Sequence, residues 1–538
     1  MNLSIAFSWP AGGGVNTAWL LLAELMTQKW YKILVDKEYA SIIKWDNNSI
    51  IVYISEDKPF ISKKLDYFIC FDDYSVTKNE KIYDIQNTVN LKTYPGKYKN
   101  VPAFWVALKI LWIDLKQWEE MLSKFFQWEV LETSKEELKK WYDLNIEVPL
   151  LEGEGLGWGI TQNQENQKLF FWNEILAKWA MEAWLDRYSA YPMTPASSII
   201  DVVAKDDRVT FFQWEDEIAV SMSMLWAKFA GKRAMCGTSG WWFALMTESI
   251  SYSNQAEIWW VYVLSQRDGP STWTPTFTWQ WDIDFALNAS FGETHPIVIY
   301  PDTFENWYNL IWKALNWSDM YQHPVVVMTD KQFSESYLSI DPKKLISAEI
   351  NRGELVKGSE EFARYKLTKS WISSYTTAGT ENGEFIASSY EHDEYGATNE
   401  DPDMKQKMMQ KRAKKMETFL SQEFNEDFYG YEIINPDAEK FFVSFGFNRY
   451  ALESFMSENK DYWLIIVTVF QPLDPRLKQR FADHESQIQE LNFVEMNNVW
   501  AFQNLITNEC NLKSDSRSKK IKNYRKITLY PIFKEDIK

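Results

Sequence analysis

The sequence predicts an α/β protein of three domains, on three observations. Short apolar, β-branched or aromatic runs recur along the chain; each ends in a polar, Gly- or Pro-containing turn; and most turns lead into a run with helical spacing. This alternation is densest between residues 190 and 275, at four turns: YPMTPASS (191–198), FFQWEDE (211–217), CGTSGWWF (236–243) and SQRDGPST (265–272). In an open parallel sheet, ligands bind beyond the carboxyl ends of the strands, where such turns collect. Thr194, Glu215, Ser239 and Arg267 are therefore candidates to line one pocket, although more than seventy residues separate the first from the last.

In chain order, residues 1–150 form the first unit. A strand at 3–8 runs into the Gly-rich turn PAGGG (10–14), and a helix at 17–28 carries Leu20, Leu21, Ala23 and Leu25 at helical spacing. Strand-like runs follow at 32–35, 49–54 and 67–71, which reads as a Rossmann-like unit. The turn is not GxGxxG, so no dinucleotide is assigned; a helix N-terminus there can take a phosphate, but such a turn more often serves only tight packing. A helical pattern spans 102–143. Residues 151–167, rich in Gly, Gln and Asn without apolar periodicity, read as a linker. The second domain, 170–335, opens on a helix at 173–185 and closes on the buried strand PVVVM (324–328). Residues 336–432 are polar, with EHDEYG (391–396) and a basic, Met-rich helix at 404–417. His392 beside Asp393 and Glu394 invites a metal, but consecutive residues point in different directions and a solvated loop is expected. A third α/β domain, 436–508, has strands at 441–446, 463–470 and 493–497 and a helix at 450–457. Residues 509–538 are a basic, solvated tail.

A net charge of -18 argues against nucleic acid and anionic membrane surfaces as partners, since both need a basic face. Cys70, Cys236 and Cys510 are far apart and give no CxxC pair, which fits a reducing, cytoplasmic compartment and leaves too few thiolates for an iron-sulfur cluster. The N-terminus has no basic segment leading into an apolar core, so no signal peptide is expected. No run approaches the roughly 20 apolar residues that cross a bilayer. The four histidines are scattered, and no Ser-His-Asp set can be built from them.

One feature of the composition is out of line. Glycine usage of about 7% would give roughly 38 residues in a chain of this length, whereas there are 20 Gly and 28 Trp. Trp9, Trp241, Trp242 and Trp273 stand at turns where an indole would bar a positive φ or fill a ligand's space. The sequence therefore suggests that many tryptophans are glycine in the native protein, encoded by UGA.

With PAGGGVNTA (10–18), YPMTPASS, QWEDE (213–217), TSGWWF (238–243), QRDGPSTWTPT (266–276), EHDEYG and VEMN (494–497), the chain resembles the alpha subunits of 2-oxoacid:ferredoxin oxidoreductases in which a gamma domain is fused in front. Departures from the family pattern are mostly Trp where the family has Gly. The resemblance implies a gamma-like domain at 1–150, a thiamine diphosphate pyrimidine-binding domain at 170–335 and a transketolase C-terminal-like domain at 436–508. It further implies a beta subunit that brings Mg²⁺, the diphosphate site and an iron-sulfur cluster, with ferredoxin, coenzyme A and a 2-oxoacid, 2-oxoglutarate being favoured, as reaction partners. By the same resemblance Glu215 is the acid facing the cofactor, with Glu217 its rival; Pro192 and Ser239 lie against the cofactor; and Thr194 and Arg267 hold the substrate carboxylate, which a guanidinium can grip at two oxygens. Two other readings remain open: a transketolase- or dehydrogenase-type thiamine subunit, and a Trp-rich glycan-binding module. The tryptophans follow turns and predicted buried strands rather than one repeated face, which argues against the last.

Overall fold

The computed structural model describes residues 2–10, 14–39, 46–94, 99–113, 132, 136, 167–270, 274–292, 295–345, 349–436, 438, 440–484, 488, 490–512, 520–526 and 529–537. The PAGGG turn at 11–13, most of the helical pattern beyond 113, the linker at 151–166, Trp273 and residues 513–519 of the tail lie outside these. The chain divides into two compact units, residues 1–171 with 335–344 and 533–538, and residues 172–334 with 345–532.

The first unit runs β1 (Asn2–Pro10), α1 (Val15–Gln28), β2 (Lys32–Glu38), β3 (Asn47–Ser55), β4 (Lys64–Leu65), β5 (Tyr67–Cys70), α2 (Asp73–Asn79), β6 (Asp84–Ile85), β7 (Thr88–Asn90), α3 (Asn100–Ile110) and β8 (Lys168–Phe171), and is joined by β15 (Tyr337–Ile340). Its sheet has the order β7-β5-β1-β3-β2-β15-β8. The expected strands are present, but the sheet is mixed: β1 is parallel to β5 and antiparallel to β3, and β2 is antiparallel to β3. The stretch between β2 and β3 is shorter than the dozen or so residues that a parallel crossover needs, so the strand returns antiparallel. Leu22 and Met26 of α1 and Phe104 and Leu108 of α3 pack with Ile5, Val52 and Ile69 of the sheet in one buried cluster.

The second unit opens with α4 (Trp172–Glu182), β9 (Arg187–Ala190), α5 (Ser197–Val203), β10 (Thr210–Gln213), α6 (Glu217–Phe229), β11 (Ala234–Thr238), α7 (Gly240–Phe243), α8 (Thr247–Gln255), β12 (Val261–Gln266), α9 (Ile283–Leu287), β13 (Ile297–Ile299), α10 (Phe304–Tyr321), β14 (Val325–Asp330) and α11 (Lys331–Glu335). Strands β10-β9-β11-β12-β14-β13 are parallel throughout. β12 and β14 are buried along their whole length, as strands covered by helices on both faces must be.

Then follow α12 (Pro402–Glu423), β16 (Tyr431–Ile434), β17 (Lys440–Ser444), α13 (Asn448–Glu458), β18 (Tyr462–Val467), β19 (Val469–Gln471), α14 (Pro475–Asp483), β20 (Glu490–Glu495), α15 (Ala501–Glu509) and β21 (Lys520–Arg525). The sheet order is β16-β18-β17-β20-β21, while β19 leaves it and adds to the parallel sheet, antiparallel to β13. The single strand expected at 463–470 is thus two strands serving two sheets. The tail is not wholly solvated, because β21 extends the sheet parallel to β20.

The EHDEYG segment is also not a solvated loop. His392 is fully buried, its ring centroid 4.0 Å from that of Tyr365 and its nitrogens facing the Asp393 and Gln255 carbonyl oxygens. Among the described residues no cluster of His, Cys, Asp and Glu could hold a metal, and no helix is long and apolar enough to cross a membrane.

Candidate active site

The turns after β9, β10, β11 and β12 leave the same edge of the sheet, because these four strands are parallel neighbours. Arg267 is the first residue past β12 and only 6% exposed; its Nη1 donates to the Thr194 carbonyl oxygen at 2.7 Å, which ties the turn after β12 to the turn after β9. Ser239 immediately precedes α7, its side chain making no capping bond, and with Arg267 it borders a cavity of about 430 Å³ that Gly240, Gly269 and Asp282 also line. The structure therefore joins three of the expected site residues, Thr194, Ser239 and Arg267. It leaves Pro192 and Glu215 on the exposed side of their turns.

The local geometry of α6 explains why Glu215 stays outside. Asp216 is the N-cap, its carboxylate accepting from the Ala219 N–H at 2.7 Å, so Glu217 is the first residue inside the helix. That turn directs Glu217 toward the end of β11, where it is 1% exposed and lies beside Thr238, while Glu215 precedes the cap and points to solvent. Burial raises the Glu217 carboxyl to about 7, against the opposing pull of its own backbone N–H and the Thr238 hydroxyl. The buried atoms Glu217 Oε1, Thr238 Oγ1 and Ser239 Oγ have no hydrogen bond of ordinary geometry. Buried polar atoms are nearly always paired, so an unpaired set at a strand edge fits a ligand with its own donors and acceptors.

Asp282, which sequence reasoning passed over, belongs to the same region. It heads α9, its carboxyl is pushed up to about 7 by burial, and Oδ2 has no partner. Nothing in the local pattern marked it, because its burial comes from elements far along the chain. Thr238 stood inside the TSGWWF motif but was not singled out.

Residues 178–411 match the family described as "Pyruvate flavodoxin/ferredoxin oxidoreductase, thiamine diP-bdg". The chain is 28% identical over 494 residues to the 2-oxoacid:ferredoxin oxidoreductase subunit alpha of Saccharolobus solfataricus, covering 85% of this chain and 72% of that protein. It is 30% identical over 379 residues to the 2-oxoacid:ferredoxin oxidoreductase 2, subunit alpha, of Aeropyrum pernix, covering 65% and 57%. Over these lengths the chain is similar to 2-oxoacid:ferredoxin oxidoreductase alpha subunits.

Over 162 residues the chain is 34% identical to the 2-oxoglutarate synthase subunit KorA of Methanocaldococcus jannaschii, covering 30% of this chain and 44% of that one. The chain spans 57% to 72% of the two alpha subunits above. In fold it is similar to the solved 2-oxoglutarate:ferredoxin oxidoreductase from Magnetococcus marinus, with 2-oxoglutarate, coenzyme A and succinyl-CoA bound. The TM-score is 0.87 at 23% identity, over 100% of this chain and 98% of that one.

Proposed function

We propose that this chain is the alpha subunit of a cytoplasmic, coenzyme A-acylating 2-oxoacid:ferredoxin oxidoreductase and supplies the pyrimidine side of a thiamine diphosphate site completed by a beta subunit. The reaction is 2-oxoacid plus coenzyme A plus two oxidised ferredoxins giving acyl-CoA, CO₂, two reduced ferredoxins and a proton. 2-Oxoglutarate is the favoured substrate, through the likeness to 2-oxoglutarate synthase subunits. The domain reading that goes with this is a gamma-like part at 1–150, a pyrimidine-binding part at 170–335 and a transketolase C-terminal-like part at 436–508, with Mg²⁺ and an iron-sulfur cluster in the partner.

One arrangement carries the reading: a buried acid, the hydroxyls of Thr238 and Ser239 beside it and an anchored arginine share the carboxyl edge of a parallel sheet. When bound, thiamine diphosphate supplies the carbon nucleophile, activated through the tautomer of its aminopyrimidine ring. The protein's part is the acid that favours that tautomer. We assign it to Glu217 rather than Glu215, because the Glu217 carboxyl is buried beside Thr238 at the end of β11 and burial raises it to about 7. Thr238 and Ser239 offer hydroxyls beside it. Arg267, held at the border of the cavity through the Thr194 carbonyl, is the cation placed to meet the substrate carboxylate.

The test is activity of the alpha–beta complex, measured as coenzyme A-dependent reduction of ferredoxin or viologen by a panel of 2-oxoacids. Glu217→Gln is expected to lower turnover by about 10² or more, the range of a lost general acid, while Glu215→Gln keeps near-normal rates. The opposite ranking would return the role to Glu215; a wild-type complex inert toward every 2-oxoacid would sink the function itself.

A further inference from the structure

Ten non-glycine residues among those described have positive φ, and five are tryptophan: Trp30 (φ 74), Trp112 (φ 56), Trp184 (φ 62), Trp371 (φ 62) and Trp500 (φ 60). For a bulky L-residue this region is an outlier, whereas glycine enters it freely. Three of the five repeat one local structure. At the end of α1 the Trp30 N–H donates to the Thr27 carbonyl and the Tyr31 N–H to that of Met26; after α3 the pairs are Trp112 to Lys109 and Ile113 to Leu108; after α4 they are Trp184 to Met181 and Leu185 to Ala180. This is the doubly bonded helix stop whose left-handed residue is usually glycine. The interior bears the same mark. Among the described residues eight buried indole N–H groups, those of Trp172, Trp179, Trp214, Trp242, Trp279, Trp307, Trp312 and Trp463, have no hydrogen-bond partner, although a buried indole N–H ordinarily finds one. The Trp172 and Phe333 ring centroids lie only 3.6 Å apart, closer than edge-on rings normally pack.

We infer that tryptophans of this chain at turns and in crowded interior positions are encoded by UGA and are glycine in the native polypeptide. The candidate site changes with them. Trp241 and Trp281 border the cavity that holds Ser239, Arg267 and Asp282, and the Trp281 ring sits so close over Gly269 that a Cβ there would fall 2.1 Å from it. With glycine at both positions the backbone between Ser239 and α7 becomes open to a ligand and the cavity widens by two indoles. Trp259 carries no such sign, since its Nε1 donates to Asp319 at 3.1 Å and its backbone is ordinary.

Tandem mass spectrometry of the protein isolated from its source decides the matter. The tryptic peptide 179–187 is expected to carry glycine at 184, and the peptide 30–32 glycine at 30; tryptophan at both would overturn the inference. Recombinant protein gives an independent reading: Trp30→Gly, Trp112→Gly and Trp184→Gly are each expected to raise Tm. A fall in Tm for all three would contradict the assignment.

A second inference comes from hydrogen bonds alone and rests on the proposed function. Gln280 is fully buried between β12 and α9, and every polar group it has is paired. Its N–H donates to the Met496 carbonyl at 3.0 Å, and its own carbonyl accepts from Asn497 Nδ2 at 3.1 Å. Oε1 accepts from Asn448 Nδ2 at 2.9 Å and from the Met496 N–H at 3.2 Å, and Nε2 donates to Asp330 Oδ2 at 2.9 Å. Met496, Asn497 and Asn448 all come from the C-terminal part of the unit, and two residues beyond Gln280 stands the pocket residue Asp282. We propose that Gln280 is a positioning residue through which the VEMN segment holds the substrate-pocket wall. In the alpha–beta complex Asn448→Ala should raise the 2-oxoacid KM about tenfold, the equivalent of one such bond, with kcat within about twofold. In the chain by itself, amide hydrogen exchange of 278–282 should quicken. Unchanged exchange overturns the clasp whatever the activity does. Faster exchange with an unchanged KM overturns its link to substrate. Should Asn448→Ala fail to fold, Asn497→Ser carries the same comparison.

Discussion

At the scale of single residues the site turns on a carboxyl that folding does not favour. Glu217 titrates near 7 in the folded chain because burial disfavours its charge, whereas an unfolded glutamate titrates near 4.3. The unfolded state therefore holds fewer protons between these values, and stability falls as pH rises through that window; below it the penalty is absent. Glu217→Gln removes the charge and keeps the shape. It is expected to be more stable than wild type at pH 8, by up to about 3 kcal/mol from the size of the shift, and to match it at pH 4. Urea titrations at the two pH values measure this, and an equal effect at both would mean the burial penalty is not there. Sequence alone named QWEDE as the acidic turn and, by resemblance, favoured Glu215 over Glu217; the fold of the chain buries Glu217. Glu215 and Glu217 are both N-terminal acids by pattern, and which one turns inward depends on a single capping bond.

At the scale of elements that bond is the Asp216 cap of α6. Asp216→Ala is expected to cost about 1 kcal/mol and also to lower turnover, since the first helical turn aims Glu217. Denaturant midpoints and rates measured together check both, and lost stability with unaltered turnover would separate the cap from the chemistry. Elements were legible where burial wrote them into composition: β12 and β14 read as apolar runs because helices cover both faces. Pairing direction was not legible, as the mixed sheet of the first unit shows. Nor was the break at Thr468, since a nearly continuous apolar run looks the same whether it serves one sheet or two. The candidate site was readable as four turns, for parallel strands bring their ends together, and Glu217 was readable as one of the two acids of QWEDE; Asp282 was not, because its surroundings are assembled from distant segments.

Over the whole second unit, two buried carboxylates fasten residues 345–423 to the parallel sheet. Glu257 meets Lys411 at 2.6 Å, Lys415 and, at 4.0 Å, Arg364; Asp319 meets Lys228, Arg233 and Arg352. Burial would raise Glu257, but the three cations outweigh it and hold the carboxyl well below its usual range. Glu257→Gln strands those cations and is expected to cost about 3–5 kcal/mol, read from thermal or urea unfolding. A loss under about 1 kcal/mol, typical of exposed pairs, would show that water reaches the cluster. The polar stretch looked like an appendage in sequence because lysines and glutamates are ordinarily solvated; here the basic helix α12 is an inward-facing clamp. The short strand β19 has a consequence for anyone who would express the catalytic half alone. A gene cut before residue 431 deletes the ribbon that covers β13, leaving a row of bare amides and carbonyls along the rim. Such a fragment should self-associate through that rim as it concentrates, which light scattering would detect, and one that stayed monomeric would mean the rim closes by some other route.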